Sequence, residues 1–554
     1  MDLVNIVQSY ILKILEEAGP GMKVMLLDAE TTPIVSLAFA QSALMRQEVY
    51  LFEKLQNTPG SEDLRHLKCI VILRPEDSIN LLCSELSNPR YGSYYINFTN
   101  LVPKSAVKQI AEADMQEVVR DVREIYTDFL PIGAHLFGLN IPHPLQPLGS
   151  RWVEQSLQRS SHALSSLLLA LKMSPVIRYQ EGSGPSSLLA QSVRQIITRE
   201  GGHFDAGGTD NSPVLLILDR REDPVTPLLS QWTYQAMVHQ LIGINNNRVN
   251  LAAVPGVTKD LQDIVLSSSQ DEFYAANLYS NFGEIGQTIK LLMDEFQNKA
   301  KSHQKIESIS DMKNFVENYP QFKKMSGTVS KHVTLVSELS RLVGVKKLLQ
   351  VSETEQELVS DGDHSTMLKK VSELVQREDI PLDDATRLIM LFALRFESQA
   401  NNGIRTLLNQ LRKRGGETES RRVQNLQRYA GINARKGNLF GDELSSTRNI
   451  TGKLFKGLKG VENVYTQHQP LLRQILEDLI KGKLRSNLFP CLGSPHEGRV
   501  TNILVFVIGG ITYEEAYTVH QLNSNLKVQI LLGGTSILNS QSFLQQVDQS
   551  FPQN

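Results

Sequence analysis

VLLILDRREDP (Val214–Pro224) is the stretch that decides how this chain is built. Val214–Leu218 is an unbroken apolar run, the pattern of a strand buried on both faces of a parallel sheet. Asp219-Arg220-Arg221-Glu222-Asp223 follow where such a strand ends, and Pro224 closes the run. A second run of this kind, TNILVFVIGG (Thr501–Gly510), and a third, Val528–Leu532 before Gly533-Gly534-Thr535, stand far downstream. Residues 250 to about 480 between them read as nearly all helical, with Gly or Pro breaks. Strand-type sequence on both sides of a helical block implies a domain inserted into an α/β domain, which is tolerated when the ends of the insert lie close together.

Upstream, strand candidates Met22–Leu27, Glu48–Phe52, Lys68–Leu73 and Tyr94–Phe98 alternate with helix-like segments. Those segments are Ile34–Arg46, Asp77–Glu85 and Ser105–Ala113, the last continuing to about Tyr126. This alternation predicts a first α/β domain with a parallel sheet. Pro142–Pro147 reads as a surface crossing, and helical spacing resumes over Trp152–Leu171 and Ser187–Arg199. Gly201–Pro213 reads as a loop. The expected layout is α/β plus all-α in three domains: residues 1–132, a split domain of 133–247 and 480–554, and a helical insert of 248–479.

The 554 residues carry 57 Lys plus Arg against 59 Asp plus Glu, a net charge of -2, which gives no general attraction to nucleic acid or anionic lipid. Three cysteines, Cys69, Cys83 and Cys491, form no CxxC pair, so a zinc ribbon is not expected and a reducing compartment is. Cys69, inside an apolar run, is expected to be a buried thiol. The opening MDLVNIVQSYILKILEEAGPG reads as an amphipathic helix rather than a leader, and no apolar stretch reaches the ~18 residues of a membrane span. The sequons at Asn97 and Asn449 are accordingly read as chance matches.

The sequence contains no GxxxxGK[ST], no HExxH, no GxSxG and no GxGxxG after a strand. Asp219 is the best catalytic candidate, because α/β sheets place ligands at strand ends. It reads alternatively as part of a structural ion cluster with Arg220. Gly509-Gly510 and Gly533-Gly534 suit either a phosphate cradle or tight turns. Val329, Val333, Val336, Leu339 and Val343 form a narrow stripe suited to a helix seam, with Pro320 upstream able to start or kink the helix. Arg412–Arg422 reads as an exposed, mobile loop.

LLILDRREDPVTPLLSQWTYQAMVHQLIGINNN (Leu215–Asn247), with Trp232 inside it, resembles the second-domain signature of the Sec1-like (SM) family. FVIGGITYEEA (Phe506–Ala516) and ILLGGTSILNSQSFL (Ile530–Leu544) resemble its second hallmark. The resemblance runs over essentially the whole chain and is strongest toward the vacuolar protein sorting branch. It implies a three-domain arch that binds a syntaxin-like Qa-SNARE and the assembled SNARE complex, promoting SNARE assembly in endosomal, trans-Golgi or vacuolar traffic. It also implies no enzyme activity, no cofactor or metal, no nucleic-acid partner, a monomeric state, and a cytoplasmic protein that reaches membranes through SNAREs.

By the same resemblance, an N-terminal SNARE peptide would sit against Val102, Val107, Ile110, Val119, Val122 and Glu124. Val107 with Ile110, and Val119 with Val122, have the spacing of shared helical faces. Asp28, Phe39 and Glu53 would line the inner cleft of the first domain. A hairpin around Pro320–Gln350 would present Val329, Val333, Val336 and Leu339 to SNARE helices. The rival reading is an α/β enzyme using Asp219 and the Gly-Gly turns on a phosphorylated ligand.

Overall fold

The computed structural model describes residues 1–56, 63–76, 78–147, 150–204, 213–303, 309–360, 362–437, 439, 467–493 and 500–551, with the side chains of 301–320 outside that set. The expected loop Gly201–Pro213 lies largely outside the described residues.

β1 (Lys23–Leu27), β2 (Val49–Lys54), β3 (Leu64–Leu73), β4 (Tyr91–Phe98) and β5 (Val119–Glu124) form a parallel sheet in the order β2-β1-β3-β4-β5. Its central strands alternate between two cores. Met25, Leu27, Ile70 and Ile72 face the core that also holds Leu3, Val7 and Ile11 of the first helix, Leu3–Glu17. Val24, Leu26, Cys69, Val71 and Leu73 face the opposite core with Leu82 and Ile110. Two-sided burial explains why these strands read as continuous apolar runs.

The second sheet gathers distant pieces of chain. β6 (Leu130–Gly133), β7 (Leu136–Gly138), β8 (Val176–Tyr179) and β9 (Val214–Asp219) join β12 (Cys491–Leu492), β13 (Asn502–Ile508) and β14 (Gln529–Gly534), in the order β12-β8-β9-β13-β14-β7-β6. β9 and β13 are parallel neighbours, Val214 opposite Ile503 and Asp219 opposite Ile508. The two runs that flank the helical block therefore lie side by side, which closes the split domain. A boundary at residue 132 falls inside β6. Leu215, Ile217, Leu504 and Phe506 share the core of the first sheet, so the two α/β units pack as one body.

The insert holds the small antiparallel pair β10 (Arg248–Asn250) and β11 (Asp263–Val265), a long hairpin of helices Phe282–His303 and Ile309–Val345, and a bundle from Leu348 to Ala430. Arg412–Arg422 is ordered rather than a loose loop. Helix Ile404–Lys413 turns at Gly415, φ +84°, into helix Glu417–Ala430, with Leu411 and Ser420 fully buried and the charges outside. Among the described residues, no helix is long and apolar enough to cross a membrane.

Candidate functional site

The first candidate surface lies on β5, an edge strand. Helix Lys104–Ala113 does not run on to Tyr126 as its periodicity suggests. Asp114 caps the turn, its carboxylate accepting the Val118 and Val119 N–H groups at 2.9 and 3.0 Å, and the chain enters β5. Val119 and Val122 would face opposite ways on a regular strand. A bulge at Arg120 prevents this: Val119 pairs with Tyr94, Val122 with Ile96 and Glu124 with Phe98. All three therefore lie on the face of Tyr94, Ile96 and Phe98, the face that helix Lys104–Ala113 covers.

Ile110 is 2% exposed and belongs to the core, whereas Val107 is 43% and Val122 37% exposed. Val102 and Val119 are half-buried against the same core. Glu124 accepts the Val102 N–H at 2.8 Å and the Tyr126 hydroxyl at 3.2 Å, which fixes the rim. The arrangement is an apolar patch with a buried floor and two open valines.

The expected cleft needs one correction. Asp28 is 6% exposed, and its carboxylate is fully engaged. It accepts the N–H groups of Glu30, Thr31 and Arg74 at 3.0, 2.7 and 2.8 Å and the Ser78 hydroxyl at 2.8 Å. It shapes a loop and is not presented to a partner. Phe39 ends helix Thr31–Ala38 half-buried, and Glu53 pairs with Arg90 at 2.8 Å.

The hairpin differs from its expectation in extent. Its second helix begins at Ile309, so Pro320 lies within it and does not start it. The Pro320 side chain is outside the described residues. Leu339 and Val343 are buried and unavailable as a template surface. Val329 is half-buried, and Val333 and Val336 are half-buried against the same core. Among the described residues of this helix, those with no exposure are His332, Leu335 and Leu339.

At the end of β9 the chemistry is closed. Asp219 accepts the Ser183 hydroxyl and the Arg221 guanidinium, each at 2.6 Å. Arg220, 2% exposed, contacts Glu515 at 2.5 Å and donates to the carbonyls of Gly510 and Asp223 at 3.1 Å. Glu515 uses its other oxygen to accept the Thr512 N–H in a capping box. The Arg220–Glu515 pair thus joins the two halves of the split domain, while Asp219 is committed to Ser183 and Arg221 within the first half. Gly509 and Gly510 sit at φ +92° and +102°, and a Cβ on Gly533 would meet the Phe137 ring at 2.0 Å. Both Gly-Gly pairs are required by turn and packing, so the enzyme reading loses its residues.

Sequence reasoning missed how the signature segment works. Ser230, Trp232 and Tyr234 alternate along the chain, and each grips the helical insert. The Ser230 N–H donates to Glu355 at 2.8 Å, the Trp232 indole to Ser352 at 2.8 Å, and the Tyr234 hydroxyl reaches His332 at 2.8 Å. Glu355 is paired with the buried Arg387 at 3.1 Å. The period of two was visible in the sequence; the partners, about a hundred residues away, were not.

The description of the Sec1 family matches residues 23–546. Human "Vacuolar protein sorting-associated protein 45" is 51% identical over 552 residues, covering 99% of this chain and 96% of its own. The Saccharomyces cerevisiae protein of that name is 36% identical over 548 residues, covering 95% and 94%. Among solved structures, "SM Protein Vps45 in Complex with Qa SNARE Tlg2" superposes with a TM-score of 0.93 at 43% identity, covering 99% of this chain and 98% of the other. Sly1p in complex with an N-terminal peptide of Sed5p shares the fold, with a TM-score of 0.78 at 18% identity. Full-length likeness at this identity, on a chain whose signature segment joins a split α/β domain to a helical insert, leaves one conclusion: the chain belongs to the Sec1 family.

Proposed function

We propose that the chain works by binding: it holds a syntaxin-type Qa-SNARE and promotes its assembly with partner SNAREs. The observation that carries this is the likeness, over 99% of the chain, to Vps45 solved with the Qa SNARE Tlg2. The β5 surface supports it, because Val107 and Val122 are large apolar side chains left open beside a formed core, as a peptide-docking site requires. Val102, Val119 and Glu124 form its floor and rim, and Ile110 supports it from beneath. Phe39 and Glu53 are assigned to the inner cleft, and the half-buried Val329, Val333 and Val336 to contact with SNARE helices.

The work is done in endosomal, trans-Golgi or vacuolar sorting traffic, at membranes reached through the SNAREs, and no covalent chemistry is involved. The test uses the purified chain as bait for the cytosolic regions of a panel of Qa-SNAREs. Selective capture of an endosomal or trans-Golgi member is expected. Capture of none of them contradicts the reading.

A further inference from the structure

One buried polar cluster at the base of the hairpin is used neither by the β5 surface nor by the closed strand end. His332 is completely buried in the second hairpin helix. One ring nitrogen lies 2.8 Å from the Tyr234 hydroxyl and the other 2.9 Å from Asp271. A carboxylate only accepts, so the Nε2 proton points to Asp271 and Nδ1 accepts from the tyrosine. The preceding residue, Lys331, pairs with the same carboxylate. Asp271 also caps helix Glu272–Asn277 by accepting the Tyr274 N–H at 2.9 Å.

Burial would raise the Asp271 carboxyl, but His332 and Lys331 outweigh it and hold it well below the usual carboxylate range. Phe273 and Tyr274 close around the imidazole, with centroids at 4.6 and 6.4 Å. Three elements thus meet on one imidazole: the signature segment, the short helix after β11, and the hairpin.

The location gives the cluster leverage. The helix has 37 residues, about 55 Å at 1.5 Å per residue. His332 stands roughly two-thirds of the way along it, so about 35 Å of helix projects beyond the contact. A small rotation at this point becomes a large displacement at the far end.

We propose that Tyr234, His332 and Asp271 form a clamp that sets the angle at which the hairpin leaves the body, and thereby positions its outer part for SNARE helices. The positioning role rests on the function proposed above; the clamp itself does not. These are positioning residues, since none reaches a partner.

The test uses the full chain with Tyr234→Phe, which removes only the hydroxyl, with His332→Ala, and with His332→Gln, which retains one donor and one acceptor. Hydrogen exchange over residues 332–345 reads the clamp. Assembly of SNAREs with the cytosolic region of Tlg2 reads positioning, and binding of a Tlg2 N-terminal peptide reads the distant β5 surface. In Tyr234→Phe, exchange protection of 332–345 is expected to fall about tenfold, as for one lost buried hydrogen bond, and in His332→Ala, which loses two, by more. Assembly should slow while peptide affinity is unchanged, and His332→Gln should recover part of both losses. Unaltered exchange in Tyr234→Phe overturns the clamp. Altered exchange with unaltered assembly overturns the positioning role. A wild-type chain that gives no stimulation of assembly at all counts against the proposed function, and the exchange data then judge the clamp alone.

Discussion

Substituting Val107 by arginine separates binding from folding on the β5 surface. Val107 is 43% exposed, so an arginine there can reach water in the free protein, and stability should change by less than about 0.5 kcal/mol. A docked peptide removes that escape. The apolar cover lost at Val107 is worth about 1 kcal/mol at ~25 cal/mol per Å². Desolvating a nearby charge adds to the loss, for a total of about 2–3 kcal/mol, or roughly 30- to 150-fold in Kd. Calorimetry with an N-terminal Qa-SNARE peptide reads the affinity, and thermal unfolding reads the fold. Ile110→Arg is the contrasting control: at 2% exposure it should unfold the first domain. A folded Val107→Arg protein with wild-type affinity refutes the placement of the peptide on this face.

Three further outcomes follow from the packing and the buried charges. Arg220→Met strips the partner from the buried Glu515 and should cost about 3–5 kcal/mol in a denaturant titration. Gly533→Ala drives a methyl group into the Phe137 ring and should cost about 1–3 kcal/mol or more by the same measurement. Asp128, 1% exposed, has its carboxyl pushed up to about 6 by burial, although Arg159 opposes this at 3.0 Å. A raised carboxyl binds its proton more tightly in the folded chain, so this group makes stability fall as pH rises from about 4 to about 6. Asp128→Asn lacks that slope. Its stability relative to wild type should rise across the window, by up to roughly 3 kcal/mol, in unfolding curves taken at several pH values.

The sheets were legible because two-sided burial writes itself as continuous apolar runs. β9 and β13 could even be matched as flanks of an insert, although their adjacency in space became visible only in the fold. In the sequence, helical periodicity carries past Ala113 because valines three apart fit a helical face. The same spacing fits a strand once a bulge at Arg120 intervenes, and nothing local announces a bulge. Arg412–Arg422 looked like a loop because its charges outnumber its apolar residues; the buried Leu411 and Ser420 decide the matter.

Valine spacing marks the hairpin seam in the sequence, whereas the buried face includes a histidine. A polar residue can face a core only if it is paired, and its partners lie 98 and 61 positions away. Asp28 looked like a cleft residue for the same reason in reverse. Its partners, Arg74 and Ser78, follow the neighbouring strand β3, 46 and 50 positions on in the sequence, and leave it no free oxygen.

The most direct test mixes a purified Qa-SNARE with its partner SNAREs and follows the rate of complex formation with and without the chain. Faster assembly, abolished by a competing N-terminal peptide or by Val107→Arg, is the predicted result. An assembly rate indifferent to the chain, with no Qa-SNARE bound at micromolar concentrations, contradicts the claim that its surfaces exist to hold and present another protein's helices.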